Sequence, residues 1–124
     1  MATAALVVVV LAGPAQAAPI TCGIDQKVEC DRQGCEAGFP GRAYNLIDEE
    51  RQTFSRCDDK GCDEYAAIFT RSGVFTNITF APGAFAKLSD SRNNPAMPPR
   101  LQRLHLVEVV TMGMVVLVSY GTCS

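Results

Sequence analysis

From residue 43 onward the chain runs as short stretches of β-branched and aromatic residues broken by turn residues, which is the pattern of antiparallel strands. Residues 43–47 and 52–57 flank Asp48-Glu49-Glu50-Arg51, a polar hairpin loop. Residues 64–70 and 74–80 flank Arg71-Ser72-Gly73, where glycine supplies the turn conformation. A further strand, 84–89, follows Pro82-Gly83. Residues 105–111 and 114–120 flank Met112-Gly113 and carry the densest apolar run, from Val107 through Val118. Seven short strands at a spacing of roughly 8–12 residues predict an all-β meander, closed as a small barrel or packed as a sandwich. Residues 18–42, rich in cysteine, glycine and charge, read as irregular.

Residues 90–103, DSRNNPAMPPRLQR, interrupt the strand pattern with three prolines. Pro98-Pro99 favours an extended backbone outside any sheet. A loop of this length is either functional or a surface excursion. Arg92, Arg100 and Arg103 in it could meet an acidic partner.

The N-terminus has a different pattern. Residues 1–17 hold no charged side chain, and Ala4 to Ala12 are continuously apolar. Such a run is shorter than the about 20 residues that span a bilayer. Gly13-Pro14 breaks it, and Ala15-Gln16-Ala17 is the small-x-small pattern of a signal-peptidase site. A signal peptide over 1–17, cut before Ala18, is therefore expected; an uncleaved apolar anchor is the alternative. Only the terminal amine supplies positive charge ahead of the run, so a start codon further upstream is also compatible. Residues 18–124 form one domain, without stable membrane insertion once the signal is removed, and its location is periplasmic or secreted.

Charge narrows the partners. The net charge is −2, with acids in excess over residues 25–64 and bases in excess over 65–124. Neither part carries the dense basic stripe that phosphates require, so nucleic acid is not an expected partner.

The chain has six cysteines, Cys22, Cys30, Cys35, Cys57, Cys62 and Cys123. In an exported protein an even count reads as three disulfides, with a connectivity that sequence does not choose. Two pairs share one grammar: Cys30-Asp-Arg-Gln-Gly-Cys35 and Cys57-Asp-Asp-Lys-Gly-Cys62 both read C-D-x-x-G-C, followed by an acid. The aspartate can accept from backbone amides, and the glycine can take positive φ. If the second motif caps a hairpin, Cys57 and Cys62 sit opposite each other. A bridge from Cys123 to the N-terminal segment would tie the last strand to the first. The competing reading makes the two C-x4-C pairs a zinc site, but an oxidising compartment favours disulfides. Asp58, Asp59, Asp63 and Glu64 lack the alternating spacing of a calcium loop and read as a solvated turn.

Catalytic chemistry has little to build on. His105 is the lone histidine and reads as structural, because catalysis or metal binding needs a partner group. No nucleophile elbow, phosphate loop or zinc-protease motif occurs. Glu108 stands inside an apolar strand on the face of Leu106 and Val110, where a carboxylate serves as an acid or base, is paired by Arg or Lys, or lies on a strand face that is simply solvent-exposed. Asn77-Ile78-Thr79 is a glycosylation sequon, relevant only in a eukaryotic secretory pathway. No enzyme activity, cofactor or metal is expected. The expected role is that of an exported binding module whose partner is a protein or an envelope component.

The stretches SRCDDKGCDEY (55–65), SGVFTNITF (72–80), AKLS (86–89) and VEVVTMGMVVLVSYGTC (107–123) resemble a group of small exported bacterial proteins without an assigned function. The likeness implies export and a shared cysteine and glycine framework, and no mechanism. Ser72-Gly73-Val74-Phe75, Lys87 and Cys123 also resemble the periplasmic C-type lysozyme inhibitors. Those are small β-barrels with a Ser-Gly-x-x-Tyr motif and a disulfide reaching the C-terminus. Phe75 stands where that motif has tyrosine. This resemblance implies that Ser72 and Lys87 would enter an enzyme cleft, the serine as a hydrogen-bond partner and the lysine as a cation for catalytic carboxylates.

Overall fold

The computed structural model describes residues 3–7 and 19–124. The expected cleavage point and most of the expected signal peptide lie outside the described residues. Among them nine strands form one antiparallel sheet: β1 (Ile20–Asp31), β2 (Gly34–Gly38), β3 (Tyr44–Asp48), β4 (Thr53–Asp58), β5 (Gly61–Ser72), β6 (Phe75–Phe80), β7 (Ala84–Asp90), β8 (Leu104–Met112) and β9 (Val115–Cys123). β1 pairs with β3, each of β3 to β8 pairs with the next, and β9 pairs back onto β1, so eight strands close a barrel. Closure removes the free edges a sandwich would leave. The expected all-β meander is present, and it is a barrel.

Residues 18–42 are not irregular as the sequence suggested. They hold β1 and β2. The first part of β1 pairs with β3, from Ile20↔Ile47 to Gly23↔Tyr44, while its second part pairs with β2, from Lys27↔Gly38 to Asp31↔Gly34. The β1–β2 hairpin thus continues past the end of β3, with β9 paired along the other side of β1. Every residue of β2 is exposed, so burial left no alternation in its sequence. The other strands begin and end within three residues of their expected limits. Arg71 and Ser72 lie within β5, and the turn to β6 is Gly73-Val74.

The two C-D-x-x-G-C motifs fold alike. Asp31 Oδ1 accepts from the Gln33 amide and Asp58 Oδ1 from the Lys60 amide, each at 2.8 Å. Gly34 and Gly61 take φ of 136° and 140°, a region that L side chains rarely adopt. Each turn sets its two cysteines directly opposite on the ladder, and the disulfides are Cys30–Cys35 and Cys57–Cys62. Cys123 bonds Cys22, again a directly paired couple, across 101 residues of sequence. That bridge locks the seam where the barrel closes. No cysteine is free. The zinc alternative fails for that reason, since a disulfide sulfur is not a thiolate ligand.

The inward face of each strand fills the barrel, as expected of an eight-stranded one. Phe54, Ile78, Leu106 and Cys22 are fully buried. Phe54 stacks on Phe80 with ring centroids 4.1 Å apart. Ala67, Ala84 and Ala86, all buried, pack in the same core as these rings. At the seam a Cβ on Gly121 would lie 2.7 Å from the Gly23 carbonyl oxygen, so β9 approaches β1 there only as glycine. A bulge at Asp25 adjoins that point, and the Thr122 hydroxyl donates to Asp25 Oδ2 at 2.6 Å.

Loop 91–103 is tied down at several points. The Ser91 amide donates to the Arg103 carbonyl, and the Gln102 side chain donates to the carbonyls of Asn94 and Met97. One 3-10 turn, Pro99–Leu101, completes it.

Candidate functional site

Side chains from β1, β3, β4 and β8 meet inside the barrel at the end from which the β1–β2 hairpin rises. Glu108 follows the inward parity of Leu106 and is 5% exposed. Its Oε1 accepts from Arg56 Nε at 2.6 Å, and its Oε2 accepts from Asn45 Nδ2 at 3.3 Å. Of the three readings open to that carboxylate, pairing with arginine is the one observed, and the strand face is buried rather than solvent-exposed. Arg56 also lies over the rings of Tyr65 and Phe80, at 5.4 and 5.3 Å from their centroids. Asn45, 2% exposed, further donates to the Ser55 carbonyl. Two buried atoms have no partner among the described residues, Asn45 Oδ1 and Arg56 Nη2. Both residues line a cavity of about 200 Å³ whose walls include Ile24, Lys27, Val110 and Leu117.

The opposite end holds a wider cleft of about 560 Å³. Its charged groups are already paired. Arg71 Nη2 donates to Glu49 Oε2 at 2.6 Å, which with the added charge attraction raises the Arg71 pKa. Arg92 grips Asp90 through Nε and Nη2 at 2.9 and 2.8 Å. These side-chain bonds, with a backbone bond from the Arg92 amide, hold the Asp90 carboxyl down at about 2. Of the three loop arginines, Arg92 therefore belongs to a local pair. Arg100 and Arg103 are exposed on the 3-10 turn and just ahead of β8.

Ser72 and Lys87 both lie on the outside of the barrel, on β5 and β7 with β6 between them. Ser72 pairs with Phe75 across the β5–β6 ladder, and Phe75 pairs with Ser89 on β7, two residues from Lys87. Lys87 Nζ stands 4.7 Å from the Phe75 ring centroid. Phe75 and its neighbour Val74 at the turn are exposed. The patch thus presents a hydroxyl, an apolar tip and a cation on three neighbouring strands. His105 pairs with Ser89 and Thr122, outside the barrel and away from Glu108.

Arg56 and Asn45 carry no sequence pattern of their own that marks them as functional. Arg56 sits between Ser55 and Cys57, and its partner is 52 positions away. The one signal for it was Glu108 itself, a carboxylate on a core face that demands a cation from another strand. Compared with family models, with curated proteins and with solved structures, the chain matches none.

Proposed function

We propose that this chain is an exported, non-enzymatic binding module, periplasmic or secreted, that meets a protein or another envelope component through the outer face of β5–β7. The observation that carries the reading is Lys87 over Phe75 with Ser72 opposite, since a cation, an exposed aromatic ring and a hydroxyl on a rigid sheet form a preorganised contact surface. Export is supported by three disulfides in a chain of 124 residues, which suit an oxidising, extracytoplasmic compartment. A binding role also fits Glu108, the carboxylate best placed for acid–base work, which Arg56 and Asn45 engage instead. Titration of the oxidised protein against purified envelope components tests this. Saturable binding that Lys87→Glu abolishes is the expected result; reproducible turnover of a substrate would overturn it.

A second reading, an inhibitor of the periplasmic lysozyme-inhibitor kind, is favoured by a specific observation. The two residues that the resemblance singles out share one patch on a closed barrel whose disulfide reaches the C-terminus. Micromolar protein should then slow muramidase lysis of cell walls, and Ser72→Ala or Lys87→Ala should each weaken inhibition about tenfold. Undiminished lysis at that concentration rules out the inhibitor and leaves the wider binding reading to its own test.

A further inference from the structure

We propose that the outer face of β7, β8, β9 and β1 is the contact surface of a two-fold dimer, and that what covers it is a second copy of this chain. The dimer needs no other ligand and does not rest on the partner surface of β5–β7, with which it shares Lys87.

Ladder register fixes which side chains lie on this face. Directly paired residues on neighbouring strands point to the same side of a sheet. Phe85, Val109, Val118 and Val28 therefore form one row across the four strands, and Lys87, Val107, Tyr120 and Gln26 form the next. Leu106 and Glu108, which alternate with Val107 and Val109 along β8, are buried inside the barrel, so both rows face outward. Phe85 and Tyr120 are 51% and 44% exposed, and the four valines are half-buried. No charged side chain occurs from residue 109 to residue 124. The water-facing side of an antiparallel sheet is ordinarily polar, and an apolar stretch this wide marks a contact surface.

The flanks of the face select the occupant. Lys87 on β7 stands at one side. Asp25, the extra residue of the β1 bulge beside Gln26, stands at the other side and at the same height along the strands. The Thr122 hydroxyl donates to its carboxylate at 2.6 Å and holds it on the outer surface. A two-fold axis parallel to the strands, between β8 and β9, lays β7 of one copy on β1 of the other. It sets Val109 against the partner's Val118, and it sets Phe85 and Tyr120 against the partner's Val28 and the partner's Val107, large against small. The same operation brings Lys87 to the partner's Asp25, twice over by symmetry. One cation and one anion at matching heights on opposite flanks thus complement a second copy, whereas a lipid surface has no use for the anion.

The area suffices for a reversible dimer. Four strands about 4.8 Å apart and about 20 Å long present about 400 Å² in projection. Side-chain relief and the rim raise this to about 600 Å² of accessible surface per copy, or about 1,200 Å² for the pair, at the lower end of specific interfaces.

Sedimentation equilibrium of the exported, oxidised chain tests the proposal. A monomer–dimer equilibrium with a dissociation constant in the range of about 1–100 μM is expected. Val109→Glu, an outward-facing change whose folding is checked by thermal unfolding, should weaken it at least about a hundredfold. Asp25→Lys and Lys87→Glu should each weaken it about tenfold, and the two together should restore it. A chain that stays monomeric at about ten times the upper limit of that range would overturn the proposal. So would a dimer that Val109→Glu leaves intact, or single charge reversals that the double change does not rescue. A monomer that instead floats with phosphatidylcholine vesicles would overturn it in favour of a lipid contact.

Discussion

Arg56 and Glu108 lie 52 residues apart in sequence and 2.6 Å apart inside the barrel, where they join β4 to β8 across the interior. These strands are not neighbours in the sheet. The pair therefore ties opposite walls, and it ties them at the end left open by the β1–β2 extension.

Removing one partner should cost more than removing both. The Glu108 side chain is 6% exposed and that of Arg56 33%, so Arg56→Ala strands the more buried charge. A loss of about 3 kcal/mol is expected for Arg56→Ala, and clearly less for the double change Arg56→Met with Glu108→Leu. Denaturant unfolding of the oxidised proteins, run as a double-mutant cycle, checks this.

The seam should tolerate no side chain at Gly121. Gly121→Ala puts a methyl 2.7 Å from a backbone oxygen of the paired strand, which neither rotamer nor loop can relieve. About 2 kcal/mol of destabilisation is expected. Gly23→Ala, with nothing within 4 Å of its added Cβ, is the matched control and should unfold near the wild-type midpoint.

The disulfides should rank by the loop each closes. Cys22–Cys123 spans 101 positions and the other two span 5 each. In the chain-entropy model the long bridge contributes about 4–5 kcal/mol and each short one about 2. Paired Cys→Ser variants compared by thermal unfolding should follow that order; equal losses from all three would contradict it.

The Asp90–Arg92 pair gives a pH dependence of definite sign. Its folded-state value, about 2, lies below the ordinary 3.8. The contribution to stability is thus complete above about pH 4 and is lost as pH falls through about 2. The effect is small, because the side chains of Asp90 and Arg92 are 39% and 57% exposed. A carboxyl NMR titration should place the Asp90 midpoint near that value and return it to the ordinary range in Arg92→Ala.

Most of the barrel was legible in the sequence because burial writes a period of two into a strand. The run from Leu104 to Val110 alternates inward and outward, and Glu108 betrayed itself by falling on the inward side. β1 and β2 left no such mark. Pairing and two disulfides hold them, and β2 buries nothing. Their signal was the C-D-x-x-G-C grammar, read as a hairpin at Cys57–Cys62 and equally a hairpin at Cys30–Cys35. Arg56 and Asn45 were not legible, because what gives them meaning is a register across strands distant in sequence.

The most direct measurement is the intact mass of the protein exported in an oxidising host, with and without thiol alkylation. A chain beginning at Ala18, lighter by two hydrogens for each of three disulfides and unchanged by alkylation, is the expected result. A mass retaining residues 1–17, or thiols open to alkylation in the folded protein, would contradict it.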